Sequence, residues 1–405
     1  MTPKYRADID GLRGVAVLSV LLFHAGMESF SGGFVGVDIF FVISGYLITT
    51  IIHREIESGS FSVARFYERR FRRILPAAVV VVLAVLVAGA LLYHSEKFAD
   101  LAASAAATGV FASNIYFFTQ SGYFAAPAES MPLLHTWSLA VEEQYYLFFP
   151  LLMVLVARFG GRKYTAWLVP LTLASLWACI AATPSNQAAA FYLSPMRAWE
   201  LLFGSLLAID MLPVIRRQAV RDAVSLAGFA MLVTSITQFS ELTLFPGVAA
   251  LVPVTGAALI IHAGAHGDTL VGRWLKWRPL VFVGLVSYSL YLWHWPIIVF
   301  TRHYMVVELT PLATTTMLAA TFVMAVVSWR YVEMPFRKKR VAPGPQELFR
   351  LSAVATVLVV AASGAILWGN GLPGRYNHER VLLAAADDAD WRRWGLCERR
   401  MLLSL

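Results

Sequence analysis

Long apolar segments alternate with short polar ones along most of the 405-residue chain. A helix that crosses a bilayer needs about 20 predominantly apolar residues. Segments of that size predict eleven membrane-spanning helices, near residues 11–27, 34–53, 74–93, 134–157, 165–182, 197–212, 222–238, 245–263, 279–301, 310–330 and 350–369. The pattern therefore predicts an all-α polytopic membrane protein, with about ten transmembrane helices in a core and an eleventh C-terminal span.

The predicted helices divide the chain into three parts. Residues 1–340 would form the membrane core. A basic stretch marked by Pro and Gly then leads to the last apolar segment, so residues 341–370 are predicted to be a linker and the eleventh span. Residues 371–405 are polar and would form a tail, because a segment below about 40 residues rarely folds alone.

The positive charges predict the orientation of these helices. If the N-terminus is cytoplasmic, the inward segments hold 24 of the 33 Lys and Arg residues, and the outward connections before the tail hold only three. An excess of Lys and Arg in short loops is typical of the cytoplasmic side of a membrane. The sequence thus predicts a cytoplasmic N-terminus and, after an odd number of spans, an extracytoplasmic C-terminus.

The composition excludes several classes of protein. Hydrophobic residues make up 58% of the chain and charged residues only 14%, whereas soluble domains have about 25% charged residues. A soluble enzyme or a disordered regulator does not fit these values. The two cysteines, Cys179 and Cys397, cannot form a disulfide framework. The basic residues of the inward loops account for the net charge of +8. The expected partner is therefore the lipid bilayer, and binding of nucleic acid is not expected.

The first predicted span contains two ionisable residues, Arg13 and His24, at a depth where charge is costly. Eleven positions at 100° each place both side chains on one helix face, about 16 Å apart along the axis. A neutral imidazole can accept a proton from a hydroxyl, and a guanidinium can bind phosphate or carboxylate. Alternatively, Arg13 extends to the interface and His24 bonds a neighbouring helix.

The next two spans add further polar groups. Asp38 needs a polar partner at membrane depth, whereas Ser44 serves either packing or a site. Four guanidinium groups follow on one inward loop. They are Arg69, Arg70, Arg72 and Arg73. The loop could bind an anionic ligand such as a nucleotide phosphate, or it could simply follow the positive-inside pattern.

The fourth span opens with two adjacent carboxylates, Glu142 and Glu143, preceded by Trp137 and Ser138. Carboxylates entering a membrane helix are difficult to explain by packing alone. Adjacent helical positions point about 100° apart, so the two carboxylates should have different partners. One of them could orient a histidine, as a carboxylate does in a catalytic triad.

Two later motifs contain polar residues near outward boundaries. Arg197 and Glu200 have i,i+3 spacing and could form a structural ion pair. Tyr291 and His294 lie in a segment with two tryptophans. Such aromatic residues form either an interfacial belt or a platform for a sugar ring.

Motifs for other chemistry are absent from the sequence. There is no Gly-rich phosphate loop, HExxH, CxxC or GxSxG. His262 and His266 have i,i+4 spacing, but no third ligand accompanies them. We therefore expect no metal and no permanently bound cofactor.

Together these motifs resemble those of the membrane-bound acyltransferase-3 family. The matching segments are 5–16, His24, 40–47, 69–76, 136–145, 197–200, 287–296 and 331–336. They occur in the order of the family and cover about residues 5–340. Each motif alone is weak, but the ordered set is specific.

The resemblance implies transfer of an acyl group, usually acetyl, from acetyl-CoA in the cytoplasm to a carbohydrate hydroxyl outside a bacterial cytoplasmic (inner) membrane. The acceptor would be lipopolysaccharide O-antigen, exopolysaccharide or peptidoglycan. His24 would be the catalytic base, Arg13 would bind or orient the donor, and the four-arginine loop would face the CoA phosphates. Glu142 and Glu143 would support the site. The remaining residues would bind the acceptor or support the site; they are Asp38, Ser44, Trp137, Ser138, Arg197, Glu200, Tyr291 and His294.

A branch of this family carries an extracytoplasmic SGNH hydrolase-like domain after an eleventh span. The span at 350–369 and the tail at 371–405 resemble the linker of that branch, so a separate SGNH-type domain is an expected partner. Buried charges would also suit a transporter of an acylated or anionic solute, which is the alternative function. A third possibility is a scaffold whose polar residues only fix helix packing.

Overall fold

The computed structural model describes residues 5–121, 130–209, 211–305 and 310–375. Within these ranges the chain is helical and contains no β-strand. The α-helices are α1 Ala7–His24, α2 Gly36–Glu57, α3 Val63–Leu92, α4 Ser95–Gly109, α5 Ser113–Thr119, α6 Thr136–Phe159, α7 Tyr164–Ala182, α8 Gln187–Tyr192, α9 Ser194–Ala208, α10 Gln218–Gln238, α11 Leu251–Ala263, α12 Leu270–Leu275, α13 Arg278–Met305, α14 Pro311–Ser328, α15 Met334–Arg337 and α16 Pro345–Trp368.

Each of the eleven predicted apolar segments coincides with a helix. Eight helical stretches in the described ranges are long and apolar enough to cross a membrane, which confirms an all-α multi-pass membrane protein. The other three predicted spans correspond to α1, α9 and α11. Helices α9 and α11 have only 15 and 13 residues, and α1 carries three charged residues near its start. The end of the predicted tail, residues 376–405, lies outside the described residues.

Helix α1 lies at the centre of the bundle, parallel to α13. The two backbones approach so closely that a Cβ atom on Gly284 would lie 1.7 Å from the carbonyl oxygen of Asp10. Glycine is therefore required at this crossing, because any side chain would push the helices apart. The close approach fixes the register of α1 against α13, and it brings polar residues of both helices together along their length.

The other helices surround this pair. Helix α2 packs against α1, α6 and α9, and α10 pairs with α11. Helix α14 flanks α13, while the C-terminal helix α16 packs against α3 and α4. Many side chains on α7, α14 and α16 are exposed and apolar, as expected for the lipid-facing side of a bundle.

The crossing of α2 and α9 leads to a stability prediction. A Cβ atom on Gly45 would lie 1.8 Å from the carbonyl oxygen of Leu201. Substitution Gly45→Leu should therefore separate the helices and cost about 3 kcal/mol or more, the upper end for overpacking. We expect a large loss of the monodisperse peak in size-exclusion chromatography in detergent. The matched control is Gly364→Leu on α16, where no atom lies within 4 Å of the added Cβ; equal losses in both variants would contradict the prediction.

The two ends of the bundle differ in charge. Helices α1 and α13 both begin at one end of the bundle, and α2 and α6 finish at that end. There Glu57, the last residue of α2, pairs with Arg162, which follows α6, at 2.9 Å. We call this the basic end, because it holds the arginines that begin α3 and the basic stretch before α16. The opposite end, where α1 finishes at His24 and α6 begins at Thr136, is the far end.

Candidate active site

Two adjacent cavities lie among α1, α2, α6 and α13. The basic-end cavity has an empty volume of about 770 Å³ and contains Arg13, Arg70 and Arg73 in its wall. The far-end cavity has an empty volume of about 1040 Å³ and is lined by His24 among others. Val37 and Tyr291 line both cavities. The two cavities therefore adjoin at these residues and lie one after the other along the bundle.

Arg13 is held in place at the basic-end cavity by two neighbours. One guanidinium nitrogen donates a hydrogen bond to Ser287 Oγ at 2.8 Å, and another lies 3.4 Å from Asp10 Oδ1. Asp10 is a neighbour because it lies three positions before Arg13 on α1, and Ser287 is a neighbour because α13 runs parallel to α1. The guanidinium thus has a fixed position in the wall, and within the described ranges its one carboxylate contact is the long one with Asp10.

The structure separates the four arginines of α3. Arg70 lines the basic-end cavity together with Arg73. Arg70 lies 5.8 Å from the ring centroid of Tyr146, and its Nε has no hydrogen-bond partner among the described residues. Residues three positions apart are neighbours on the helix surface, so both side chains can reach the cavity.

Arg69 and Arg72 form the other i,i+3 pair and lie outside the cavity lining. Arg69 pairs with Glu55 at 3.0 Å. Arg72 is buried, pairs with Glu68 at 3.0 Å and donates hydrogen bonds to the carbonyl oxygens of Ala342 and Pro343. Arg72 therefore fastens the stretch before α16 to α3, and only part of the predicted arginine set reaches the cavity.

The middle of the site is a hydrogen-bonded group between α2 and α6. Glu142 accepts hydrogen bonds from Ser44 Oγ and from the Tyr146 hydroxyl. Nearby, the hydroxyl oxygens of Ser138 and Tyr291 lie 2.6 Å apart. All five of these side chains line the basic-end cavity.

Glu143 points elsewhere, as the 100° angle between adjacent helical positions requires. It is absent from the lining of both cavities. Its Oε1 is buried and has no hydrogen-bond partner in the described part of the chain. The structure thus gives the two predicted carboxylates different surroundings.

His24 lies at the far-end cavity against a second histidine. Its Nδ1 is 3.1 Å from Nε2 of His294, and the two rings stack with centroids 5.2 Å apart. The edge of Trp295 is also close, with a centroid distance of 4.5 Å. His294 is 1% exposed and lies behind His24, outside both cavity linings.

A buried ion cluster forms another part of the far-end wall. Arg197 donates a hydrogen bond to Asp38 Oδ1 at 2.9 Å and lies 3.1 Å from Glu200 Oε1. All three residues are almost fully buried, and the guanidinium lies near the face of Trp137. Asp38 and Arg197 line the cavity, whereas Glu200 supports Arg197 from behind.

His135 is a site residue beyond those predicted from the sequence. It lines the far-end cavity, is 4% exposed, and neither ring nitrogen makes a hydrogen bond with the described residues. Its ring lies 5.6 Å from that of His294. The available signal was its position directly before the motif that opens α6, on the same side of the membrane as His24 and His294.

Comparison with known proteins identifies the family. A family model described as the acyltransferase domain matches residues 6–330. O-acetyltransferase OatA of Staphylococcus aureus is 33% identical over 351 residues, which cover 84% of this chain and 58% of that protein. Peptidoglycan O-acetyltransferase OatA of Listeria monocytogenes is 32% identical over 354 residues, which cover 83% and 56%.

This chain therefore spans less than two thirds of the length of these curated relatives. No solved structure matches it. The ordered motifs and the family model agree over nearly the same residues, which confirms the resemblance inferred from the motifs. The chain belongs to the acyltransferase domain family.

Proposed function

We propose that this protein is a membrane O-acetyltransferase that accepts an acetyl group from acetyl-CoA at the basic end and delivers it to a carbohydrate hydroxyl at the far end. The observation that carries the proposal is the pair of adjacent cavities, with the guanidinium groups of three arginines in the wall of one and His24 in the wall of the other. The basic end would face the cytoplasm of a bacterium, in line with the positive-inside pattern.

The basic-end cavity suits an anionic donor with a long, narrow arm. Arg70 and Arg73 would pair with the phosphates of acetyl-CoA, because guanidinium groups bind phosphate oxygens in a bidentate manner. Arg13 lies further along the same wall and would orient the arm. The thioester would then lie near Val37 and Tyr291, where the two cavities adjoin.

The far-end cavity suits a polyhydroxylated acceptor. Its wall combines aromatic rings with the polar groups of Asp38, Arg197 and Gln187. Aromatic faces stack on sugar rings, and carboxylate and guanidinium groups bind hydroxyls. The acceptor would be a cell-surface carbohydrate, and the name of the Listeria relative points to peptidoglycan.

His24 would perform the proton transfer. It would remove the proton from the acceptor hydroxyl as that oxygen attacks the thioester carbonyl carbon. The carbon–sulfur bond then breaks, and the proton passes to the sulfur of departing CoA. A separate extracytoplasmic SGNH-type domain would be a partner on the side to which α16 leads.

The donor side is tested by binding of acetyl-CoA labelled in the acetyl group, measured on protein in detergent. We expect the double substitution Arg70→Ala, Arg73→Ala to weaken binding about 100-fold, since each charge-assisted hydrogen bond contributes about 1.5–3 kcal/mol. The matched control is Arg69→Ala, which removes a guanidinium of the same helix that is paired with Glu55 outside the cavity. Unchanged binding in the double variant, or equal weakening in the control, would contradict this donor site.

Release of CoA separates the proposed enzyme from a transporter. Wild-type protein should slowly release CoA, with water as the acceptor when no carbohydrate is present. Movement of an acylated or anionic solute across proteoliposomes without CoA release would instead favour transport.

A further inference from the structure

We propose that His294 is a positioning residue that holds His24 in the tautomer whose Nε2 is unprotonated, so that Nε2 is the atom that accepts the proton. This inference rests on the proposed function, in which His24 is the base. It assigns the nitrogen of His24 that reacts and the residue that holds His24 in the reactive tautomer. It is carried by the hydrogen bonds of two imidazole rings that belong to α1 and α13.

The first step concerns His294 itself. Its Nδ1 lies 2.5 Å from the backbone carbonyl oxygen of Tyr291. A carbonyl oxygen can only accept a hydrogen bond, so His294 Nδ1 must carry the hydrogen. In the neutral ring, Nε2 is then an acceptor with a lone pair.

The second step transfers this constraint to His24. His294 Nε2 lies 3.1 Å from His24 Nδ1. Because the nitrogen of His294 is the acceptor, His24 Nδ1 must be the donor and must carry the hydrogen. The hydrogen of neutral His24 is thus placed on Nδ1, and its Nε2 keeps the lone pair that a general base needs.

The opposite assignment would require a buried imidazolium at His294. With hydrogens on both nitrogens, His294 would donate to His24 Nδ1, and His24 Nε2 would be protonated and unable to act as a base. Among the residues that the structure describes, the rings that contact His294 are those of His24, His135, Tyr291 and Trp295. None of these is an anion at neutral pH, so a buried cation would have no counter-ion among them.

The arrangement also stabilises the charge that the reaction creates. When His24 Nε2 accepts the hydroxyl proton, the ring becomes an imidazolium and its Nδ1–H donates more strongly to His294 Nε2. The same role belongs to a carboxylate in serine hydrolase triads. His294 itself lies outside both cavity linings, so it acts through His24 and not on the substrate.

The test compares three forms of position 294 by steady-state release of CoA from acetyl-CoA. His294→Ala removes the acceptor of the hydrogen bond from His24. We expect kcat to fall about 100-fold, which is within the range for partners that orient a reactive histidine. The KM for acetyl-CoA should be unchanged. His294→Gln retains an acceptor oxygen near the position of Nε2, so its kcat should fall no more than about fivefold. Binding of labelled acetyl-CoA shows whether each variant is folded.

A chemical rescue separates tautomer control from packing. Nδ1-methylhistidine in place of His24 has no hydrogen on Nδ1, so its neutral ring leaves Nε2 unprotonated without any help from His294. Combined with His294→Ala, which makes room for the methyl group, it should restore kcat to within about tenfold of wild type. Wild-type activity in His294→Ala, or equal losses in the Ala and Gln variants without rescue, would overturn the inference. Failure of wild-type protein to bind acetyl-CoA would instead overturn the proposed function.

Discussion

Substitution His24→Ala should almost abolish acetyl transfer while the protein still folds and binds acetyl-CoA. A general base contributes about 100- to 10,000-fold to the rate of such a reaction, so CoA release should fall by a factor in this range. The ring of His24 lies at the far-end cavity, more than three helical turns from Arg13, so donor binding should stay within about twofold of wild type. Labelled acetyl-CoA measures both quantities on the same sample.

The matched control for this variant is His262→Ala. His262 lies at the basic end, where its Nε2 contacts the carbonyl oxygen of Pro213, away from both cavity linings. It should keep wild-type release of CoA. Normal turnover by His24→Ala, or loss of acetyl-CoA binding in that variant, would remove His24 from the role of base.

Helix positions were well predicted because transmembrane segments have a strong local signal. A helix of about 20 apolar residues spans the hydrocarbon core of the bilayer, whichever helices it packs against. This apolar signal is weaker where polar site residues or close helix packing interrupt the apolar segment. Helix α1 contains Arg13 and His24, and α9 has only 15 residues and carries Arg197 and Glu200 in a buried cluster near its start.

The division of the four arginines of α3 was not available from the sequence. At 100° per residue, positions 69 and 73 lie about 40° apart, and the outer positions 70 and 72 lie about 160° apart. Helical periodicity therefore does not group Arg70 with Arg73. Their partners make the division, because Arg69 pairs with Glu55 and Arg72 with Glu68, whereas Arg70 and Arg73 line the cavity.

The contacts that define the far-end site were not predictable from local patterns. His24 and His294 are 270 positions apart, and Asp38 and Arg197 are 159 positions apart. Which helices become neighbours depends on packing of the whole bundle, including the backbone approach at Gly284. Asp38 was expected to need a polar partner, but nothing near it in the sequence identifies Arg197.

The second large effect is expected for Arg197→Met, which should strongly destabilise the protein. Asp38 and Glu200 are both 0% exposed, and the guanidinium lies between them. Its removal leaves two carboxylates buried without a cation. Breaking a buried ion pair by removing one partner costs about 3–5 kcal/mol, so we expect the melting temperature in detergent to fall by about 10 °C or more.

Two further variants show whether charge is the cause. The triple substitution Asp38→Asn, Arg197→Met, Glu200→Gln removes the whole cluster with little change in volume, and such replacements are often neutral for stability. It should recover most of the lost melting temperature. Arg162→Met, which breaks the solvent-exposed pair with Glu57, should cost less than about 1 kcal/mol.

The triple variant also distinguishes support of the fold from binding of the acceptor. Arg197 and Asp38 line the far-end cavity and lie away from the arginines that would hold the donor. A folded triple variant should therefore bind acetyl-CoA normally but transfer acetyl poorly to a carbohydrate, because the charged groups of the far-end wall are gone. If Arg197→Met alone is as stable as wild type, the cluster is not ionised as described. If the triple variant transfers acetyl at the wild-type rate, the cluster serves the fold alone.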